Sequence, residues 1–324
     1  MADIICLGEL LIDFVPTVTG CDLASAEAFK KAAGGAPANV AVGLARFGVS
    51  SGFMGKIGDD GFGRFLAQTL AGAGVDTSML IPTSAAPTAL AFVSLRADGE
   101  REFLFYRSPS ADMLFSPEDV DGAALARSKM LHFGSISLIS EPSRGGTLHA
   151  VKLARERGLR ISYDPNLRLR LWPSADAARE GMRLGLAQAD TVKIGDEEVQ
   201  FLTGVADPIA GARALWHDGL SLMAVTRGAA GCIWLTRDAE GEVPGIKVEA
   251  VDTTGAGDAF MAGLLAGLAE LGDQPLKAAE LDRICAFANA AGAVTTTARG
   301  AIPSLPDRAA VQAALKAHGR VTTP

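Results

Sequence analysis

The stretch Asp252-Thr253-Thr254-Gly255-Ala256-Gly257-Asp258-Ala259-Phe260 holds the residues best suited to chemistry in this 324-residue chain. Its Gly-Ala-Gly turn runs straight into small apolar residues, Ala259 to Leu265, that read as a helix. Such a junction aims unpaired backbone N–H groups and the positive end of a helix dipole at one point, where an anion such as phosphate can sit. A carboxylate beside that point is electrostatically awkward. Asp258 becomes useful if it takes the proton of a hydroxyl that attacks phosphorus. Taken alone, the stretch also fits an ordinary loop with Asp258 as a helix N-cap, worth about 1 kcal/mol over Ala.

Further polar groups fall where apolar runs end. Gly34-Gly35-Ala36-Pro37-Ala38-Asn39 precedes a helical pattern. Its glycines let backbone approach a ligand, and Asn39 can both donate to and accept from a hydroxyl; it reads equally as a helix start with Pro37 in the first turn. Gly8-Glu9 and Asp13 follow the first apolar run. In open α/β sheets ligands lie beyond the carboxyl ends of strands, so Asp13 suits sugar hydroxyls, or is a solvated turn residue. Arg168, in Asp164-Pro165-Asn166-Leu167-Arg168, can hold a phosphate or polar substrate, although Asp-Pro-Asn makes a turn without any function. Ser108-Pro109-Ser110-Ala111-Asp112 is another polar strand end. Gly195-Asp196-Glu197-Glu198 opens a helix, where acidic residues are stabilising in themselves and one could hold hydrated Mg²⁺. Thr226-Arg227-Gly228-Ala229-Ala230-Gly231 lines a nucleotide or simply turns a hairpin. Neither a Gly-x-x-x-x-Gly-Lys-Ser/Thr phosphate loop nor a Gly-x-Gly-x-x-Gly after the first strand occurs.

These residues need a scaffold. A chain 48% hydrophobic and 21% charged can bury a large core, which excludes a disordered chain or a repeat fibre. The formal net charge of −7 argues against a general binder of nucleic acid or acidic membranes, though not against a local phosphate site. Cys6, Cys21, Cys232 and Cys285 are scattered, so packed, reduced thiols are expected rather than disulfides or a zinc site. The apolar run Ile4–Leu7 is too short and too soon interrupted by Glu9 and Asp13 to be a signal peptide. No stretch approaches the roughly 20 apolar residues of a membrane span. A soluble, cytoplasmic protein is expected.

Apolar runs predict strands at Asp3–Leu7, Ser51–Lys56, Ala89–Leu95, Glu102–Tyr106, Lys129–Phe133, Arg160–Tyr163, Thr191–Ile194, Leu222–Thr226 and Cys232–Thr236. Helical patterns fall at Ala36–Phe47, Gly63–Ala73, Thr147–Arg157, Ala175–Gln188, Pro208–His217, Ala259–Leu271 and Ala278–Ala298. This alternation predicts an α/β fold, a mostly parallel sheet covered by helices on both faces. The pair of strands around Asp98-Gly99 reads as a hairpin apolar on both faces, which should not stand alone in water. It packs in the main sheet or builds a lid or subunit contact.

The glycine-rich signature Gly34–Asn39, continued by Gly61-Phe62-Gly63, and the signature Asp252–Asp258 together resemble the ribokinase-like (PfkB) carbohydrate kinases, over essentially the whole chain. Tyr106-Arg107-Ser108-Pro109-Ser110-Ala111-Asp112-Met113-Leu114, Asp164–Arg168 and Leu171-Trp172-Pro173-Ser174 look like the fructokinases of that family. The resemblance implies one doubly wound domain over residues 1–324 with a β-lid, roughly residues 14–33 and 88–112. It implies ATP as donor, Mg²⁺ as metal, K⁺ as monovalent cation and a sugar as acceptor. Neither nucleic acid nor membrane is expected as a partner, and the two-faced hairpin suggests a homodimer through the lid, with a monomer that buries the hairpin as the alternative.

It also implies roles. Asp258 is the base, and the amides of Gly255, Ala256 and Gly257 form the anion hole. Asp13, Gly34, Gly35 and Asn39 bind sugar hydroxyls, and Arg107 and Arg168 close the site. Lys193, Glu198, Thr226, Gly228, Gly231 and Asn289 serve the nucleotide, with Glu198 also acting on Mg²⁺ through water. Asp252 and Thr254, with Ala293, Gly300 and Ser304, hold the monovalent cation. Gly195 departs from the family pattern, which has Asn three residues before the Glu. A base beside a helix N-terminus should have its pKa held down, leaving Asp258 ionised at neutral pH. D-fructose is the expected acceptor; 2-keto-3-deoxygluconate is the closest alternative, leaning harder on Arg107 and Arg168. A non-catalytic sugar sensor on the same fold is the reading from another class.

Overall fold

The computed structural model describes residues 2–18, 20–95 and 101–319, with backbone alone for Ser94, Leu95 and residues 101–103. Its strands are β1 (Ile4–Leu7), β2 (Leu11–Pro16), β3 (Phe29–Gly34), β4 (Ser51–Gly58), β5 (Leu80–Thr83), β6 (Ala89–Leu95), β7 (Arg101–Tyr106), β8 (Met130–Gly134), β9 (Arg160–Asp164), β10 (Thr191–Gly195), β11 (Leu222–Thr226), β12 (Gly231–Leu235) and β13 (Glu240–Pro244). The helices are α1 (Ala36–Arg46), α2 (Gly61–Gly72), α3 (Gly122–Leu125), α4 (Ser143–Glu156), α5 (Ala175–Leu186), α6 (Asp196–Thr203), α7 (Pro208–Ala214), α8 (Ala256–Leu271), α9 (Ala278–Thr295) and α10 (Arg308–Ala317).

Among the described residues the main sheet has nine strands in the order β13-β12-β11-β10-β9-β8-β1-β4-β5. It is parallel from β5 to β11 and antiparallel only at β12 and β13. Burial on both faces explains why these strands read as continuous apolar runs. In β1, Ile4 and Cys6 enter one core with Leu44 of α1, Leu264 of α8, Ile284 of α9 and Leu315 of α10. Ile5 and Leu7 point the other way, to Val151 of α4, Met182 of α5 and Val199 of α6. Cys6, Cys21, Cys232 and Cys285 are free thiols. Among the described residues no helix is long and apolar enough to cross a membrane.

The second sheet, in the order β3-β2-β6-β7, has four strands and resolves the two-faced hairpin. It stands apart from the main sheet, and β2 joins β6 in parallel. Pairing of Asp13 with Ala32 and Ala91, and of Ala91 with Phe105, puts these on one face. The other face stacks Phe14 on Phe92 at 4.9 Å between ring centres, with Phe29 and Tyr106 edge-on to Phe92. The expected turn Asp98-Gly99 lies outside the described residues.

Several boundaries and elements depart from the sequence expectation. Strand β3, Phe-Lys-Lys-Ala-Ala-Gly, has little strand propensity and exists because β2 pairs with it. Strands β2, β5 and β13 and helix α10 were likewise not expected. Helix α7 stops at Ala214, short of His217. Helix α8 starts three residues early, at Ala256 with Gly255 as its cap, so Asp258 sits in the first turn and is not the N-cap.

Helix α8 is clamped between α1 and α9 by glycines. A Cβ on Gly43 would stand 2.6 Å from the Cβ of Ala262, and one on Gly263 would stand 2.9 Å from the Cα of Ala288. An added Cβ on Gly72, at the end of α2, meets nothing. Gly263→Val is therefore expected to lose about 1–3 kcal/mol through overpacking. Gly72→Ala should be neutral or gain up to about 1 kcal/mol from helix propensity. Urea unfolding midpoints check both.

Candidate active site

The start of α8 is built on a backbone that glycine alone adopts easily. Gly255 has φ 82°, and a Cβ there would stand 3.0 Å from the Cα of Ala301. The turn leads the first amides of α8 out of the helix, where they lack intrahelical acceptors. Asp258 lies just inside and is buried. Its Oδ2 accepts a hydrogen bond of 2.7 Å from Nδ2 of Asn39, in the first turn of α1. Oδ1 of the same Asn39 amide is buried without a hydrogen-bond partner. A side chain fixed by one end and left unsatisfied at the other is suited to receive a substrate hydroxyl.

The electrostatics of Asp258 correct one expectation. Its pKa is raised, not lowered: burial pushes it up more than the Asn39 bond and the charges of Lys193 and Arg168 draw it down.

Asp13 of β2 reaches the same region. A Cβ on Gly34 would overlap its carboxylate, so Gly34 is needed to make room for Asp13 as much as for any ligand. Burial pushes the Asp13 carboxyl up to about 7, Arg168 pulls it down and Asp258 adds to the rise. Gly35 packs onto the backbone of Glu9, whose Oε1 accepts from Ala36 N–H at 3.0 Å. Arg168 is exposed, with its guanidinium on the carbonyl of Leu167 at 3.1 Å. Arg107 was expected to close the polar site together with Arg168. It is buried and forms an ion pair with Asp112, Nε to Oδ2 at 3.1 Å and a closer contact from Nη2. Sequence reasoning assigned no role to Glu9 or Asp112. Both stood in polar strand ends, but only the fold shows which charge each one meets.

A cavity of about 560 Å³ opens at the ends of β10 and β11, lined by residues including Lys193, Gly195, Glu198, Phe201, Thr226 and Gly228. Lys193 is buried and paired with Asp164 at 3.0 and 3.2 Å, and its Nζ stands 3.0 Å from where a Cβ on Gly257 would lie. This links the cavity to the α8 turn. Glu198 accepts from Leu167 N–H at 2.6 Å and Gly195 N–H at 2.7 Å, tying two strand-end loops together. Gly231 and Asn289 do not line this cavity. Gly231, at φ 100°, lets β13 pass close, and Asn289 donates to the carbonyl of Val243 at 2.9 Å.

Asp252, Thr254, Ala293, Gly300 and Ser304 do converge. Asp252 accepts from Thr254 N–H at 2.9 Å, Thr254 Oγ1 at 2.7 Å and Gly300 N–H at 2.9 Å. Ser304 Oγ donates to the carbonyl of Gly300. Thr296, bonded to the carbonyl of Ala293 at 2.7 Å, joins the group through its own carbonyl, which receives Asp252 N–H. Carboxylate, hydroxyl and carbonyl oxygens are the donors a hard monovalent cation takes. Among the described residues no group of three or more His, Cys, Asp or Glu could hold a metal. Mg²⁺ fits only as an ion held largely by water and phosphate, its usual habit.

A glycine-turned helix start with a buried carboxylate, on a nine-stranded, mostly parallel sheet with a separate four-stranded sheet, defines a class. The chain belongs to the pfkB family of carbohydrate kinases, whose sequence profile matches residues 1–308. It is 53% identical over 314 residues to "Probable fructokinase-7" of Arabidopsis thaliana, covering 95% of this chain and 91% of that one. The fructokinase of Xylella fastidiosa with bound ATP superposes with a TM-score of 0.87 at 37% identity, covering 98% of this chain and all (100%) of that one. A double mutant of the Vibrio cholerae O395 fructokinase, in a fructose-, ADP- and potassium-bound form, gives 0.86 at 34% identity, covering 97% of this chain and 98% of that one.

The raised pKa of Asp13 gives a stability prediction. Because the folded value, about 7, exceeds the ordinary 3.8, the folded state holds the proton more tightly. The associated stability is fully present below pH 3.8 and is lost as pH rises through about 7. Urea titrations over that window are expected to show wild type losing more stability with rising pH than Asp13→Asn.

Proposed function

We propose that the protein transfers the γ-phosphoryl group of ATP to the primary hydroxyl of D-fructose, giving fructose 6-phosphate and ADP. The observation that carries this reading is Asp258, held by Asn39 in the first turn of α8 beside the Gly255–Gly257 amides. As the sugar oxygen attacks phosphorus, its proton passes to Asp258 and the bond to the bridging oxygen of ADP breaks. The amides of Gly255, Ala256 and Gly257 meet the charge on the transferring group without having to reorganise. Sugar hydroxyls are held by Asp13, the Gly34-Gly35 backbone and the open acceptor of Asn39, with Arg168 above them. Lys193, Glu198, Thr226 and Gly228 take the nucleotide phosphates in the cavity; Gly231 and Asn289 serve the nucleotide from outside its lining, where they set the approach of β13.

Mg²⁺, when bound, neutralises phosphate charge, and Glu198 reaches it through water. Asp252 and Thr254, with backbone of Ala293, Gly300 and Ser304, hold K⁺. Fructose in a relative's structure and fructokinase names among relatives support the choice of sugar. The burial of Arg107 against Asp112 removes one of the two cations that a 2-keto-3-deoxygluconate site would use.

In this reading the chain is one domain whose four-stranded sheet is a lid that excludes water from the reaction. Leu104 and Tyr106 on that sheet are 46% and 58% exposed, which supports a homodimer formed through the lid. A cytoplasmic location completes the proposal. The dimer is checked by sedimentation: wild type is expected at twice the mass of the Leu104→Lys/Tyr106→Lys variant, and a wild-type monomer refutes it.

The reaction is tested by ADP release from ATP and Mg²⁺ with a panel of sugars; no release above background with fructose would sink it. Asp258→Asn should lower kcat about 10²- to 10⁴-fold, the usual contribution of a general base, with fructose binding largely kept.

A further inference from the structure

Arg107 is a cation with no charge to spare. It directly follows Tyr106, the last residue of β7, and Phe105 one residue earlier shares a face with Ala91 and Asp13. Its guanidinium is buried and engaged by Asp112 through two N–H groups. Asp112 is itself held, its Oδ1 receiving Ser110 Oγ at 2.5 Å. Glu9, from the end of β1, lies close enough to interact electrostatically with both Arg107 and Asp112. Its Oε1 is fixed on Ala36 N–H at 3.0 Å, and its Oε2 is buried without a partner. One guanidinium is thus paired with one buried carboxyl group and lies within electrostatic reach of a second.

The wider balance runs the same way. Among the described residues, Glu9 lies within electrostatic reach of Arg107 and Asp112, and Asp13 within reach of Arg168 and Asp258. Lys193, which also acts on Asp258, is paired with Asp164. Even with Glu9 and Asp13 both neutral, which their burial-raised values of about 7 allow, Asp112 and Asp258 balance Arg107 and Arg168, so no positive charge is left in surplus. A hydroxyl-rich neutral ligand finds acceptors there. A carboxylate finds no free buried cation, and a desolvated charge without a partner is costly.

We propose that Asp112, backed by Glu9, makes the sugar site select uncharged sugars over sugar acids by neutralising Arg107. The proposal rests on the sugar-kinase reading above and assigns the choice of substrate class within it. Asp112 and Glu9 are specificity-determining residues that act through Arg107.

The test compares kcat and KM for D-fructose and 2-keto-3-deoxygluconate, at saturating ATP, in wild type, Asp112→Asn, Glu9→Gln and the double variant Asp112→Asn/Arg107→Met. In Asp112→Asn the ratio of kcat/KM for fructose over the acid is expected to fall at least about tenfold, the effect of roughly one released charge interaction. The fall should come from a lower KM for the acid, should weaken with added KCl, and should vanish in the double variant. Glu9→Gln, which keeps the acceptor for Ala36 N–H, should shift the ratio in the same direction by a smaller factor. Equal loss on both sugars, or a gain that survives removal of Arg107, overturns the proposal. If Asp112→Asn does not fold, Glu9→Gln decides by the same ratio. Wild type inactive on every sugar would refute the kinase reading instead, and calorimetric binding of the two sugars would then supply the ratio.

Discussion

One hydrogen bond, from the Asn39 amide to the Asp258 carboxylate, joins residues 219 positions apart and fixes where the rest of the site must be. For it to form, the first turns of α1 and α8 must point to the same place. The glycine contacts at Gly43 and Gly263 bring α8 into van der Waals contact with α1 on one side and α9 on the other. Close packing of this kind admits little adjustment, so the bond inherits the rigidity of the core. The half-buried turn at Gly255 can then present its amides on a scaffold that does not move with them.

Charge is the second constraint. Burial drives Asp13, Asp258 and Glu9 upward in pKa, and each is drawn partly back: Asp13 by Arg168, Asp258 by the Asn39 amide and then by Lys193 and Arg168, Glu9 by backbone N–H groups and Arg107. Lys193 and Asp164 form a separate pair under the α8 turn. The fold distributes a few cations among more carboxylates and leaves the site poised rather than saturated. Buried groups with shifted proton affinities are a common property of sites that move protons.

Much of this was legible in the sequence because it is local. The Gly-Ala-Gly turn before an apolar run marked the α8 start, and the alternation of apolar runs with amphipathic segments marked a parallel sheet. Strand β3 was not legible, since Lys30, Lys31, Ala32 and Ala33 carry no strand signal of their own and become a strand only by pairing with β2. The same holds for Glu9 and Asp112. Their residue types were visible, but each acquires meaning from Arg107, which arrives on a different strand.

The sequence by itself determined the family, the sheet and the two glycine-rich turns, because turn chemistry and hydrophobic period are properties of neighbouring residues. The tertiary structure alone decided that Asn39 holds Asp258, that Arg107 is buried against Asp112, and that burial raises the pKa of Asp258. These depend on distances between segments far apart in the chain and on how much water is left around each charge, and neither quantity is encoded locally.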